Sequence, residues 1–132
     1  MRLLIADDDA DMRQSMRLLL ERAGHEVELA ADGADALNLQ RGRACDIFIT
    51  DIFMGEVDGL EAIENFRHEF PAVRIIAMSG GSRRLSGDSY LATASLAGAD
   101  AVLLKPFGIG QLLETLRNLS DVHGQPSAAT GQ

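Results

Sequence analysis

Three consecutive aspartates, Asp7-Asp8-Asp9, follow a short apolar run, and a fourth, Asp51, follows another. Ser79 and Lys105 stand in the same relation to two further apolar runs. Carboxylates brought together repel and raise one another's pKa unless a cation joins them. A hard divalent cation resolves this, and Mg²⁺ suits a site with few carboxylates and several retained waters. A carboxylate can also act as a nucleophile. Beside it, a metal and an ammonium offset charge on transferred oxygens, while a hydroxyl donates to one of them. Asp7, Asp8, Asp51, Ser79 and Lys105 thus have the makings of a phosphoryl-transfer site, provided the fold gathers them. Singly, each has a plainer use. An aspartate before a helix caps it, a serine sits in a loop, and a lysine is solvated. Capping explains one of the three leading aspartates and says nothing of Asp51.

The elements that must position these residues alternate regularly. Leu3–Ala6, Val27–Ala30, Ile47–Ile49, Val73–Ala77 and Ala101–Leu104 read as five strands. Most are apolar on consecutive residues, as parallel strands covered on both faces are. Met12, Met16, Leu19, Leu20 and Ala23 form a helical stripe closed by Gly24. Leu60, Ile63, Phe66 and Phe70 form another, stopped by Pro71. Ile109, Leu112, Leu113 and Leu116 mark the last helix. Weaker, alanine-rich helices are expected around Ala34–Gln40 and Ser89–Ala97, with Asp32 and Asp88 as N-caps. Alternation of this kind implies right-handed crossovers and a parallel sheet. The expectation is an α/β, flavodoxin-like, doubly wound five-stranded sheet, order 2-1-3-4-5, with five helices. Ligands in such sheets bind at the carboxyl ends of strands, at the switch point between strands 1 and 3. Asp7–Asp9, Asp51, Ser79 and Lys105 all fall at carboxyl ends.

The totals narrow the class. The 132 residues suffice for one domain with a real core. Acidic residues outnumber basic ones 20 to 12, a formal charge of −8, which argues against nucleic-acid binding. The single cysteine, Cys45, excludes an internal disulfide and reads as a small buried hydrophobe before a strand. No apolar run approaches the ~20 residues that span a bilayer, and Asp7–Asp9 interrupt any signal-like stretch, so a cytoplasmic location is expected. Residues 120–132 are polar and small, with Gly124, Pro126 and Gly131, and read as a disordered tail after a domain at 1–119.

Leu3-Leu4-Ile5-Ala6-Asp7-Asp8-Asp9, Asp51-Ile52-Phe53-Met54, Asp58-Gly59-Leu60-Glu61, Ser79-Gly80, Ala97-Gly98-Ala99-Asp100 and Lys105-Pro106-Phe107 together carry a resemblance. Over residues 2–119 the chain resembles the receiver domains of bacterial two-component response regulators, of the stand-alone, chemotaxis-regulator-like kind. The resemblance implies that Asp51 is the phosphoacceptor and that Asp8 ligates Mg²⁺, or Mn²⁺ in its place. Asp51 and the carbonyl of Phe53 would be further ligands, with Asp7 acting through water. It implies Ser79 as the switch hydroxyl, Lys105 as the phosphate-binding lysine, and a cis peptide at Lys105–Pro106. The phosphoryl donor would be a sensor histidine kinase or a histidine phosphotransfer protein. Readout by an unknown downstream protein, or a homodimer, would use the fourth helix, fifth strand and fifth helix. The chain would be a switch rather than an enzyme, its chemistry confined to its own phosphorylation and dephosphorylation.

Some positions depart from that family. Gly55 replaces a usual proline, and Val102 stands where many receivers carry the Tyr or Phe of the switch. Residues 80–87, with Arg83 and Arg84, make a longer loop. Phe53 is apolar at a position that influences phosphate loss. His25, His68 and His123 read as surface residues. Two other classes compete. A haloacid dehalogenase-type phosphatase would use Asp7 and Asp9, but Asp11 replaces the usual Thr or Val and no late acidic pair follows Lys105. A flavin-binding flavodoxin needs a phosphate loop where three aspartates stand.

Overall fold

The structure, a computed structural model, describes residues 1–52, 59–80 and 98–124. Five strands occur: β1 (Arg2–Ala6), β2 (Glu26–Ala30), β3 (Ile47–Asp51), β4 (Arg74–Gly80) and β5 (Ala101–Lys105). They form one parallel sheet in the order β2-β1-β3-β4-β5, as expected. Helices α1 (Ala10–Arg22), α2 (Gly33–Gly42), α3 (Gly59–Glu69) and α4 (Ile109–Gly124) cover its faces.

The consecutive apolar residues of the strands follow from two-sided burial, because successive side chains point to opposite faces. In β1, Leu4 and Ala6 join Ala36 of α2 and Ala62, Ile63 and Phe66 of α3. Leu3 and Ile5 join Met16 and Leu20 of α1 and Leu112 and Leu116 of α4. The rings of Phe48 and Phe66 stack with centroids 3.8 Å apart and bind α3 to the middle of the sheet. Cys45 is buried and unpaired, and burial pushes its thiol pKa up to about 12. The buried Gln40 accepts from the Cys45 N–H and closes the turn between α2 and β3.

Local signals act where the sequence places them. Asp32 caps α2 through the Asp35 N–H, and Gly24 adopts φ +97° just past α1, a conformation disfavoured for other residues. α3 ends at Glu69, ahead of Pro71. The guanidinium of Arg67 then ties α3 to its surroundings, donating to the carbonyls of Val73 and Gly98 and to the carboxylate of Asp100.

Most element ends fall within a residue or two of expectation, and two run further. β4 continues through Met78 and Ser79 to Gly80, because β5 remains beside it, with Ser79 opposite Leu104 and Gly80 opposite Lys105. α4 runs on to Gly124, past residue 119, since no helix-breaking residue intervenes before Gly124 and Pro126. Four helices occur among the described residues rather than five. The fourth expected helix at 89–97, its cap Asp88, and residues 81–87 with Arg83 and Arg84 lie outside the described residues. So do Phe53, Gly55, Asp58 and residues 125–132.

Candidate functional site

The sheet register levels the chemically active residues. Ala6 is opposite Thr50, so the next residues, Asp7 and Asp51, emerge side by side where β1 and β3 end. Asp51 is opposite Met78, which puts Ser79 one step further along β4. Lys105, the last residue of β5, lies opposite Gly80. Because all five strands run parallel, their carboxyl ends share this one edge of the sheet.

Asp7, Asp8 and Asp51 can each offer a carboxylate oxygen, with all three atoms within 4.8 Å of one another. Asp7 and Asp51 are buried, whereas Asp8 is exposed. The Lys105 ammonium lies between the two buried groups, 3.0 Å from Asp51 Oδ2 and 3.2 Å from Asp7 Oδ2. Lys105–Pro106 is a cis peptide, as expected, and Pro106 is exposed.

Burial, the largest influence, pushes the Asp7 carboxyl above the ordinary carboxylate range, and the Asp51 charge adds to the effect. The Asp9 N–H and Lys105 oppose it without overcoming it. Burial also opposes the Lys105 ammonium, but the bond to Asp51, that carboxylate's charge and Asp7 together hold its pKa above the lysine range. The cluster therefore gathers three carboxylates, two of them buried, with one ammonium between the buried pair. Its all-oxygen donor set fits a hard divalent cation, and the fit comes from the donors themselves.

Asp9 has a different task. Its carboxylate accepts from the Asp11 and Met12 N–H groups and caps α1. Asp9 is therefore the aspartate that capping explains. The Asp7–Asp9 pair required by the phosphatase alternative does not face one site.

Ser79 is fully buried, and its Oγ has no hydrogen-bond partner among the described residues. A buried hydroxyl without a partner is costly, by ~1–3 kcal/mol. It is rarely left so unless some state of the protein uses it. Val102, opposite Ala77, is partly buried and packs against the core on the α2–α3 side of the sheet. The Phe53 carbonyl lies outside the described residues.

Two contributors were not assigned a role from sequence. Gly59 opens α3 directly against β3. A Cβ there would stand 1.9 Å from the Asp51 carbonyl oxygen and 2.8 Å from Ile52 Cα, so only glycine fits. Its N–H donates to the Ile52 carbonyl at 2.9 Å. Arg13, on α1, donates from Nη1 to the Asp7 carbonyl at 2.5 Å. For Gly59 the only sequence signal is a glycine at a helix start. For Arg13 there is none, since its type and position suit any solvated helix arginine.

Known proteins resemble the chain both in sequence and in fold. It is 36% identical over 122 residues to the response regulator MprA of Mycobacterium avium, an alignment covering 90% of this chain and 50% of that protein. The same protein from Mycobacterium tuberculosis is 36% identical over 121 residues, with 89% and 50% covered. The chain thus spans about half the length of these relatives. Among solved structures, Vibrio cholerae chemotaxis protein CheY4 superposes with a TM-score of 0.79 at 30% identity, covering 89% of this chain and 96% of that one. A CheY-like receiver domain protein from Methanospirillum hungatei gives 0.84 at 29%, covering 93% and 95%. These likenesses set the phosphatase alternative aside. The family model for the response regulator receiver domain matches residues 3–117, and the chain belongs to that family.

Proposed function

We propose that this domain is a phosphorylation switch of a two-component system, with Asp51 the acceptor and a histidine kinase or phosphotransfer protein the donor. The observation that supports this most is the placement of one ammonium, Lys105, in contact with two buried carboxylates beside a third. That arrangement is costly to keep unless it handles a further charged group.

In this reading an Asp51 carboxylate oxygen attacks the phosphorus of the donor's phosphohistidine. The P–O bond forms as the P–N bond breaks, and the leaving imidazole takes up a proton. Asp7, Asp8 and Asp51 would hold Mg²⁺, or Mn²⁺, with the Phe53 carbonyl as a further ligand and Asp7 reaching the ion through water. The cation supplies charge neutralisation for the transferred oxygens. Lys105 exchanges its contact with the Asp51 carboxylate for one with a phosphoryl oxygen, remaining tethered by Asp7. Burial of Asp7 and Asp51 keeps bulk water from competing for these contacts.

The unpartnered Ser79 hydroxyl then gains an acceptor in the phosphoryl group. Moving Ser79 and the end of β4 toward Asp51 would bias the surface around β5 and α4, where a downstream protein or a second copy reads the state. Val102 and Pro106 lie on that strand and just after it. Without an aromatic ring at Val102, transmission would run through the backbone of β4 and β5. The domain acts as a switch, with turnover limited to its own phosphorylation and dephosphorylation.

Incubation with acetyl phosphate and Mg²⁺ tests the chemistry. The expected result is a gain of one phosphoryl mass that is released by hydroxylamine, as an acyl phosphate should be. No gain, or a hydroxylamine-stable one, would overturn the reading.

A further inference from the structure

Asp7 is held at several points: its N–H by the Ala30 carbonyl, Oδ1 by the Asp9 N–H, and Oδ2 by Lys105. Its own carbonyl lies beyond the β1–β3 register, which ends at Ala6 and Thr50. The Arg13 guanidinium reaches back six residues to that oxygen, at 2.5 Å. The short, charge-assisted bond closes the Asp7-Asp8-Asp9 turn from behind.

Helix electrostatics alone would not place a cation here. Arg13 is the fourth residue of α1, in the turn where the helix dipole disfavours positive charge. A guanidinium beside an acidic cluster would also, as a bare charge, compete with any metal ion for the carboxylates. Its value must lie in geometry: the turn it braces presents Asp7 and Asp8 toward Asp51.

We propose that Arg13 is a positioning residue which, by donating to the Asp7 carbonyl, fixes the Asp7 and Asp8 carboxylates for the cation. The proposal rests on the cation-assisted reading of the site given above. Removing the brace lets the turn relax and weakens cation binding, whereas a purely electrostatic role for Arg13 would make its removal tighten binding. The effect falls on cation capture, because Asp51 and Ser79 sit on β3 and β4, and Lys105, on β5, keeps its bond to Asp51.

Calorimetric titration of Mg²⁺ into wild type, Arg13→Met, Arg13→Lys and Arg13→Gln tests this, without phosphoryl donor present. Loss of a partner that orients metal ligands weakens metal affinity by about 10-fold. That loss is expected for Arg13→Met and Arg13→Gln, with recovery of most of the affinity in Arg13→Lys, which still reaches and donates. With acetyl phosphate, the half-saturating Mg²⁺ concentration should rise by a similar factor in the Met and Gln variants. Their rate at saturating Mg²⁺ should stay within about 2-fold of wild type if only cation capture is weakened. Equal or tighter Mg²⁺ binding in the Met or Gln variant overturns the proposal, as does Lys failing to rescue. If Arg13→Met does not melt cooperatively, the Gln and Lys pair decides. Wild type that binds no Mg²⁺ would instead overturn the underlying reading of the site.

Discussion

Lys105 Nζ lies 3.0 Å from Asp51 Oδ2 although 54 residues separate them, and Asp7 stands 3.2 Å from the same nitrogen. The carboxyl ends of three strands therefore meet at one ammonium. Lys105→Met removes the cation that lies between two buried carboxylates. Breaking such a pair from one side should cost about 3 kcal/mol, the low end of the range because Lys105 keeps 23% of its side chain exposed. Urea denaturation in EDTA measures this, and saturating Mg²⁺ should restore part of the loss. Phosphoryl uptake from acetyl phosphate should fall by at least ~10²-fold, since a charge partner of the transferred oxygens is gone.

The pH dependence follows from Asp7. Burial raises its pKa in the folded state, so its contribution to stability is full below the ordinary carboxylate pKa and lost as pH rises through the raised value. In EDTA, Asp7→Asn should therefore gain on wild type as pH is raised through the window between the ordinary carboxylate pKa, about 4, and the raised one. Thermal melts across that window check the sign, and a difference that shrinks with pH would contradict it. Mg²⁺ should suppress the trend, because the ion offsets the charge whose burial is unfavourable.

Gly59→Ala reverses an ordinary expectation. Alanine in a helix usually gains ~1 kcal/mol over glycine. Here its Cβ would meet the Asp51 carbonyl at 1.9 Å, and α3 must shift to admit it. Overpacking of this kind should cost about 3 kcal/mol in chemical denaturation. Phosphorylation should slow as well, because the displaced backbone carries the acceptor.

Ser79→Ala separates stability from signalling. The hydroxyl it removes is buried and has no described partner, so stability should be unchanged or rise by up to about 1 kcal/mol. The phosphorylated variant should nonetheless fail to shift its amide hydrogen-exchange pattern around β5 and α4. A native-like shift would show that Ser79 is not the sensor of the phosphoryl group.

Much of this was legible in the residues alone, for identifiable reasons. Two-sided burial makes strands such as Ile47–Ile49 apolar on every residue, so β3 could be read directly, and the order of the sheet followed from the alternation of strands and helices that fits a flavodoxin-like fold. Asp32 and Gly24 act through local backbone chemistry and were equally plain. Which of three neighbouring aspartates caps α1 was not, because that depends on the turn geometry that assigns Asp9 to the helix and Asp7 to the rim. Gly59 needed the approach of α3 to β3, a contact with no sequence signature. Arg13 matters only through a bond that reaches back around the same turn. The end of β4 depended on its partner, since β5 extends the ladder past Ala77 to Gly80.

The most direct measurement compares wild type with Asp51→Asn after incubation with acetyl phosphate and Mg²⁺, with the modified residue located by peptide mass spectrometry. Wild type should carry one labile phosphoryl group on the peptide containing Asp51, and the variant should carry none. A labile phosphoryl group gained by Asp51→Asn to the wild-type extent, or mapped to Asp7 or Asp8 in wild type, would contradict the assignment of Asp51 as acceptor.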